Sequence, residues 1–128
     1  MLEDTKAFCS FTTDDVSKVQ DFYSQSLGLK VSEDRGALWL DIGGGQRVLI
    51  YMRPGHTPAS FTILNFPVED IDRAVDGLTE RGVHFERYAE FNADEKRIVR
   101  GEDRSIAWFK DPAGNVHSLV QETEPDAI

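Results

Sequence analysis

Cysteine is almost absent from this chain of 128 residues. The single Cys9 excludes an intrachain disulfide and a thiolate metal cluster, and fits a reducing compartment. Positive charge is also scarce: 14 lysines and arginines stand against 23 aspartates and glutamates, for a formal net charge of −9. Such a field repels phosphodiester backbones and anionic lipid, and no basic stripe overrides it locally, so neither nucleic acid nor a membrane is expected as a partner. It argues only weakly against a small anionic ligand, because one arginine in a pocket outweighs a diffuse field at short range. No apolar run approaches the ~18 residues of a membrane span. Met1-Leu2-Glu3-Asp4-Thr5-Lys6 lacks the basic start of a secretory signal, so the expected location is the cytoplasm. Histidine is limited to His56, His84 and His117, none paired at helical or strand spacing, and each reads as structural or exposed. His117 adjoins Ser118, but strand alternation sends neighbours to opposite faces, which makes a nucleophilic Ser-His pair geometrically poor. Cys9 is expected to face a helix packed on its sheet, buried and inert.

What is present is ordinary globular composition, 40% hydrophobic and 29% charged. It predicts one folded domain over 1–128 that buries roughly two thirds of its unfolded surface. Residues 6–13 alternate as a strand, with Cys9, Phe11 and Thr13 on one face and Phe8, Ser10 and Thr12 on the other. Asp14 or Asp15 caps a helix carrying Val16, Val19, Phe22, Tyr23 and Leu27, which Gly28 ends. Residues 29–33, 37–42 and 47–53 read as three strands. The two prolines and glycine of 54–60 make a connector. The order then restarts: a strand over 61–68, a helix capped by Asp70 with Ile71, Ala74, Val75 and Leu78 on one face and Gly82 as its stop, and a strand over 83–87. A closing hairpin turns at Asp111-Pro112-Ala113-Gly114-Asn115. Between them, 88–105 is dense in charge and reads as a solvated loop, with a lid closing through Phe91, Ile98 and Val99 as the second reading.

The halves keep register. Asp15 and Asp70, Val16 and Ile71, and Asp21 and Asp76 stand 55 apart, while Trp39 and Trp108, and Gly45 and Gly114, stand 69 apart. A βαβββ unit repeated twice, with an acidic helix start before Phe22-Tyr23 and Leu27-Gly28-Leu29 and a closing Asp-Pro-Ala-Gly-Asn turn, resembles the vicinal oxygen chelate superfamily of glyoxalase I, extradiol dioxygenases and the bleomycin and fosfomycin resistance proteins. The resemblance covers 6–121. It implies an α+β fold of two tandem βαβββ modules, about 6–53 and 61–122, forming cupped, mostly antiparallel sheets with helices packed outside and a cavity between the cups. It also implies a homodimer.

Catalytic members of that superfamily hold a divalent metal through the first and last strands of each unit. Carried over by spacing, those positions fall on Phe8, Leu49, Ile63 and Ser118. Two aliphatic side chains, a phenyl ring and one hydroxyl do not supply the donors such an ion needs, so no metal and no other cofactor is expected. A register slip of one offers Cys9, Leu64, Val48 or Ile50, and His117 or Leu119, scarcely a better set.

The cup face shared with Phe8 carries Ser10 and Thr12 on the first strand and Arg47, Leu49 and Tyr51 on the fourth. Phe61, Ile63 and Asn65 follow on the fifth, and Val116, Ser118 and Val120 on the last. Trp39 and Trp108 offer flat surfaces whose face the pattern leaves open, core packing being the other reading. Arg47 pointing into the cup would need Asp41 or an anionic ligand as partner. The expected function is a metal-independent protein that binds a planar or apolar organic molecule. The alternative is a lyase, isomerase or dioxygenase-like enzyme with an atypical or mis-registered metal site, and a cup used only for protein contact is a third reading.

Overall fold

The computed structural model describes residues 1–122, so the end of the 1–128 span lies outside the described residues. Contacts divide the chain into two compact units, Met1–Pro58 and Ala59–Ile128. The first contains β1 (Cys9–Thr13), α1 (Val16–Asp21), β2 (Lys30–Asp34), β3 (Ala37–Ile42) and β4 (Gln46–Met52). They form a four-stranded sheet in the order β1-β4-β3-β2, with β1 parallel to β4 and the other pairs antiparallel. The second unit contains β5 (Thr62–Pro67), α2 (Ile71–Glu80), β6 (Val99–Arg100), β7 (Arg104–Lys110) and β8 (Val116–Glu122). Its order, β5-β8-β7-β6, repeats the first pattern of one parallel and two antiparallel pairs. Two open mixed sheets, each with a helix, make this an α+β fold.

Each sheet buries one face. In the first unit Phe11, Thr13, Leu38, Leu40, Val48 and Ile50 are all buried, as the period-two pattern requires, together with Val19 of α1 and Tyr23 just beyond it. Asp15 caps α1 by accepting from the Ser17 backbone N–H at 3.0 Å. The expected single helix to Leu27 is instead α1 followed by a π-helical segment, Phe22–Ser26. The wider turn presents Tyr23 to Phe11, ring centroids 6.2 Å apart, and keeps its ring fully buried.

The second unit follows the same logic with Leu119, Ala107, Phe109, Ile71 and Val75 buried. Asp70 caps α2 through the Arg73 N–H at 3.1 Å, and Gly82, at φ 90°, ends the turn after it. The strand expected over 83–87 is not formed. Only Phe85 bridges to Phe109, and Glu86 N–H donates to the Trp108 carbonyl at 2.8 Å. The rest of that edge of β7 is taken by β6, where Val99 pairs with Ile106 and Arg100 with Ser105. Part of the charged stretch expected as a loop is thus a sheet edge, and the reason lies in how it is fastened. Asp94 accepts from the backbone N–H groups of Lys96 and Ile98, both at 2.9 Å, and from Arg100 Nε at 3.0 Å. Arg100 and Lys96 then pair with Asp72 and Asp76 of α2 at 2.8 and 3.1 Å. Ile98 is fully buried beneath this network.

The turn between β7 and β8 is closed by one carboxylate. Asp111 Oδ1 accepts from the N–H groups of Ala113 and Asn115, and Oδ2 from Asn115 Nδ2, each at 2.9 Å, with both side chains buried. Asp111→Ala leaves two buried donors and one half-buried donor without this acceptor, and we expect a loss of about 2–3 kcal/mol in urea unfolding.

His117 is fully buried on the helix side, edge-on to Phe66 and Phe109. Its Nδ1 accepts from the Leu64 backbone N–H at 3.3 Å, which leaves the ring proton on Nε2. Burial lowers its pKa from 6.5 to about 4, with the nearby Asp111 charge opposing the shift. The unfolded chain therefore takes up a proton near pH 6.5 that the folded chain resists until about 4, so this residue's contribution to stability falls as pH drops through that window. His117→Asn, which keeps an acceptor but does not titrate, should flatten the pH dependence of Tm between those values. An unchanged slope would refute the assignment.

Candidate ligand-binding site

The face of each sheet away from its helix is the open one, and strand pairing fixes what stands on it. In the first unit Ser10 pairs with Leu49 and Leu49 with Trp39, Thr12 pairs with Tyr51, and Arg47 with Asp41. Alternation puts Ser10, Thr12, Trp39, Arg47, Leu49 and Tyr51 on this face, opposite the buried set. Trp39 thus takes the open face. Phe8, one residue before β1 and not within it as expected, meets Trp39 edge-on with centroids 5.0 Å apart and remains 57% exposed. The Arg47 guanidinium carbon lies 4.3 Å from the Trp39 ring centroid, and its Nε donates to Asp41 Oδ1 at 3.1 Å. A cation over an indole and held through Nε by a carboxylate is fixed at two points, with its terminal nitrogens left for other partners. Beside these groups lies a cleft of about 530 Å³.

Cys9 lines that cleft and is exposed, which corrects the expectation that it packs under the helix. It starts β1 at the sheet's end, beyond the reach of α1, so alternation alone does not bury it. Farther along the strand, Thr12 Oγ1 and His56 Nδ1 are hydrogen-bonded at 2.7 Å. His56 is set there by a tight turn in which its N–H donates to the Arg53 carbonyl at 3.1 Å.

The second unit has its own version of the face. Asn65 pairs with Ser118 and Ser118 with Trp108, and Ser118 Oγ donates to Asn65 Oδ1 at 2.6 Å. A bulge between Thr62 and Leu64 alters the first strand's alternation. Ile63 is the extra, unpaired residue, and Thr62 stands opposite Val116, where its hydroxyl accepts from Trp108 Nε1 at 3.1 Å. Phe61 is 69% exposed at the rim of a cleft of about 370 Å³. Two rings from the charged segment close on Trp108: Tyr88 edge-on at 5.5 Å and Phe91 tilted at 5.1 Å. Burial pushes the Tyr88 phenol above its usual pKa, with Lys110 opposing, so it remains a neutral hydroxyl at physiological pH. Val120 lies farther along β8, opposite Ile106.

Nine of the twelve expected site residues thus sit on or beside an open face, and Ser118 shares the second unit's face but is fully buried. Ile63 is displaced into the bulge, and Phe61 reaches only the rim. Sequence reading passed over Thr62, Tyr88, His56 and Lys6, the last lining the first cleft. The positions that the resemblance assigns to metal ligands carry a phenyl ring at Phe8, aliphatic chains at Leu49 and Ile63, and at Ser118 a hydroxyl already bonded to Asn65, a set that does not fit a divalent ion. Among the described residues no group of three or more His, Cys, Asp or Glu side chains is placed to hold a metal.

No curated protein sequence matches the chain. Among solved structures, the chain is similar to a glyoxalase/bleomycin resistance protein/dioxygenase from Alicyclobacillus acidocaldarius, with TM-score 0.70, 15% identity and coverage of 97% of this chain and 96% of that one. It is similar to TnmS3, an antibiotic binding protein from Streptomyces sp. CB03234, with TM-score 0.65, 22% identity and coverage of 94% and 98%. It also resembles the fosfomycin resistance protein FosX from Mesorhizobium loti, with TM-score 0.65, 13% identity and coverage of 94% of each chain. At these identities the likeness concerns the fold. The family model for the Glyoxalase/Bleomycin resistance protein/Dioxygenase superfamily matches residues 7–119, nearly the whole of both units, and the chain belongs to that superfamily.

Proposed function

We propose that this protein binds a planar or apolar organic molecule on the open faces of its sheets, without a metal. One observation carries the reading: at the positions that the resemblance assigns to metal ligands, this chain has apolar groups and one satisfied hydroxyl, while aromatic rings line the clefts beside them. Trp39 and Trp108 stand at matching places, each opposite a β-strand residue of the open face, Leu49 and Ser118. Flat walls with few polar groups suit a ligand held by burial and stacking, and bond-breaking chemistry would need a base or nucleophile beside it. TnmS3 is described as an antibiotic binding protein, which favours binding over turnover by analogy alone.

The second reading is a lyase, isomerase or dioxygenase-like enzyme, and the Thr12–His56 hydrogen bond is the observation that favours it, since a hydroxyl on a histidine nitrogen is the start of a proton-transfer pair. We further propose a homodimer, because Phe8, Tyr51, Met52, Phe61 and Phe91 are left exposed on the chain. The proposed location is the cytoplasm, where the one exposed thiol stays reduced.

Native mass spectrometry of protein purified without tag or chelator tests the reading in one spectrum. The expected species is a metal-free dimer, with or without an organic adduct; one metal per subunit overturns it in favour of an enzyme. Phe8→Asp should weaken binding of any such adduct roughly tenfold or more while leaving the far-UV circular dichroism unchanged. Full binding by that variant would place the site elsewhere.

A further inference from the structure

The two clefts differ in charge. In a chain with 23 acidic residues and a net charge of −9, no acidic side chain among the described residues lines the cleft of the first unit. Its charged lining residues are Lys6 and Arg47, both cations. The cleft of the second unit carries Glu90 and no cation. Chance placement from this composition favours acids in both.

The cations of the first cleft are also uncommitted in part. Lys6 forms no ion pair among the described residues. Arg47 gives only its Nε to Asp41, at 3.1 Å, and its two terminal nitrogens make no hydrogen bond among the described residues. Those nitrogens present the planar fork that matches a carboxylate or similar planar oxyanion. The Trp39 indole lies beneath the guanidinium, its ring centroid 4.3 Å from the guanidinium carbon, so the cation is positioned before a ligand arrives. Phe8 beside it is 57% exposed and offers an aromatic surface at the same cleft.

The geometry points to an aromatic carboxylate as the ligand class of the first cleft, its ring against Phe8 and its carboxylate on the Arg47 fork with Lys6 as the second cation. This rests on the small-molecule reading above and narrows it to one site and one charge. It gives the single thiol a use as a reporter, because Cys9 lines the cleft and is exposed.

Calorimetric titration of the intact protein with 2-naphthoate and with neutral 2-naphthol, alongside the rate of Cys9 modification by a neutral maleimide, tests the inference. Naphthoate should bind about tenfold more tightly than naphthol and slow Cys9 modification. Arg47→Gln should remove that preference, bringing naphthoate affinity down to the level of naphthol, with Lys6→Gln acting in the same direction by less; unchanged circular dichroism certifies folding. Phe8→Ala should weaken both ligands. Equal binding of the two ligands, or a preference that survives Arg47→Gln, overturns the carboxylate assignment and leaves the small-molecule reading standing. Naphthoate binding that leaves Cys9 modification unchanged places the site outside this cleft and overturns the inference, and failure of both ligands to bind overturns both readings.

Discussion

Period-two alternation across a sheet covered on one side is the constraint on which this structure depends. Each helix buries one face of its sheet, and every strand residue that turns toward it must be apolar or satisfied. Thr13, buried at the end of β1, obeys by exchanging bonds with Asp15, its hydroxyl donating to the carbonyl and receiving the N–H, each at 3.2 Å. The residues left over on the opposite face are then free of the core's demands. Rings, hydroxyls and a guanidinium stand there because nothing in folding forbids them, and that is where a ligand can be met.

The same rule explains how much of the fold was legible in the sequence. Strands 37–42 and 46–52 were readable almost to the residue because their buried partners, Leu38, Leu40, Val48 and Ile50, alternate without interruption. The cap of α2 was legible from Asp70, and that of α1 to within one residue, as Asp14 or Asp15, of which Asp15 is the cap. The hairpin turn was legible from a proline, a glycine at φ 88° and an asparagine, although the bond set of the buried Asp111 was not. Family membership followed from order and spacing, which survive at identities where individual residues do not.

What could not be read depends on contacts distant in sequence or on a break in the period. The bulge at Ile63 shifts a strand by one residue and leaves no mark in composition, so Thr62 and not Ile63 meets Trp108. The 88–105 segment reads as loop because its charges are what a solvated loop would carry. Here those charges are spent on α2, through pairs with Asp72 and Asp76 that are 28 and 20 residues away, and they hold a two-residue strand against β7. His56 stands 44 residues from Thr12, and no short-range spacing announces that bond. Local propensity favours a strand for 83–87, but only Phe85 and Glu86 reach β7, at Phe109 and Trp108, while Val99 and Arg100 pair with Ile106 and Ser105 farther along the same edge.

Arg47 brings these levels together, since its value to a ligand depends on how weakly it is held by the protein. The Arg47–Asp41 pair is roughly half exposed on both sides, 48% and 40%, and pairs of that exposure are worth about 0–1 kcal/mol. The contact with Trp39 adds about 0.5–1 kcal/mol and does not depend on Asp41, because it runs from the guanidinium carbon to the ring and not through the Nε bond. An incoming oxyanion therefore meets a cation whose position comes from the indole and whose charge is only loosely claimed. A lysine at this position would keep the charge and lose the plane, so the choice of arginine beside a tryptophan is the sequence feature on which discrimination among anions would turn.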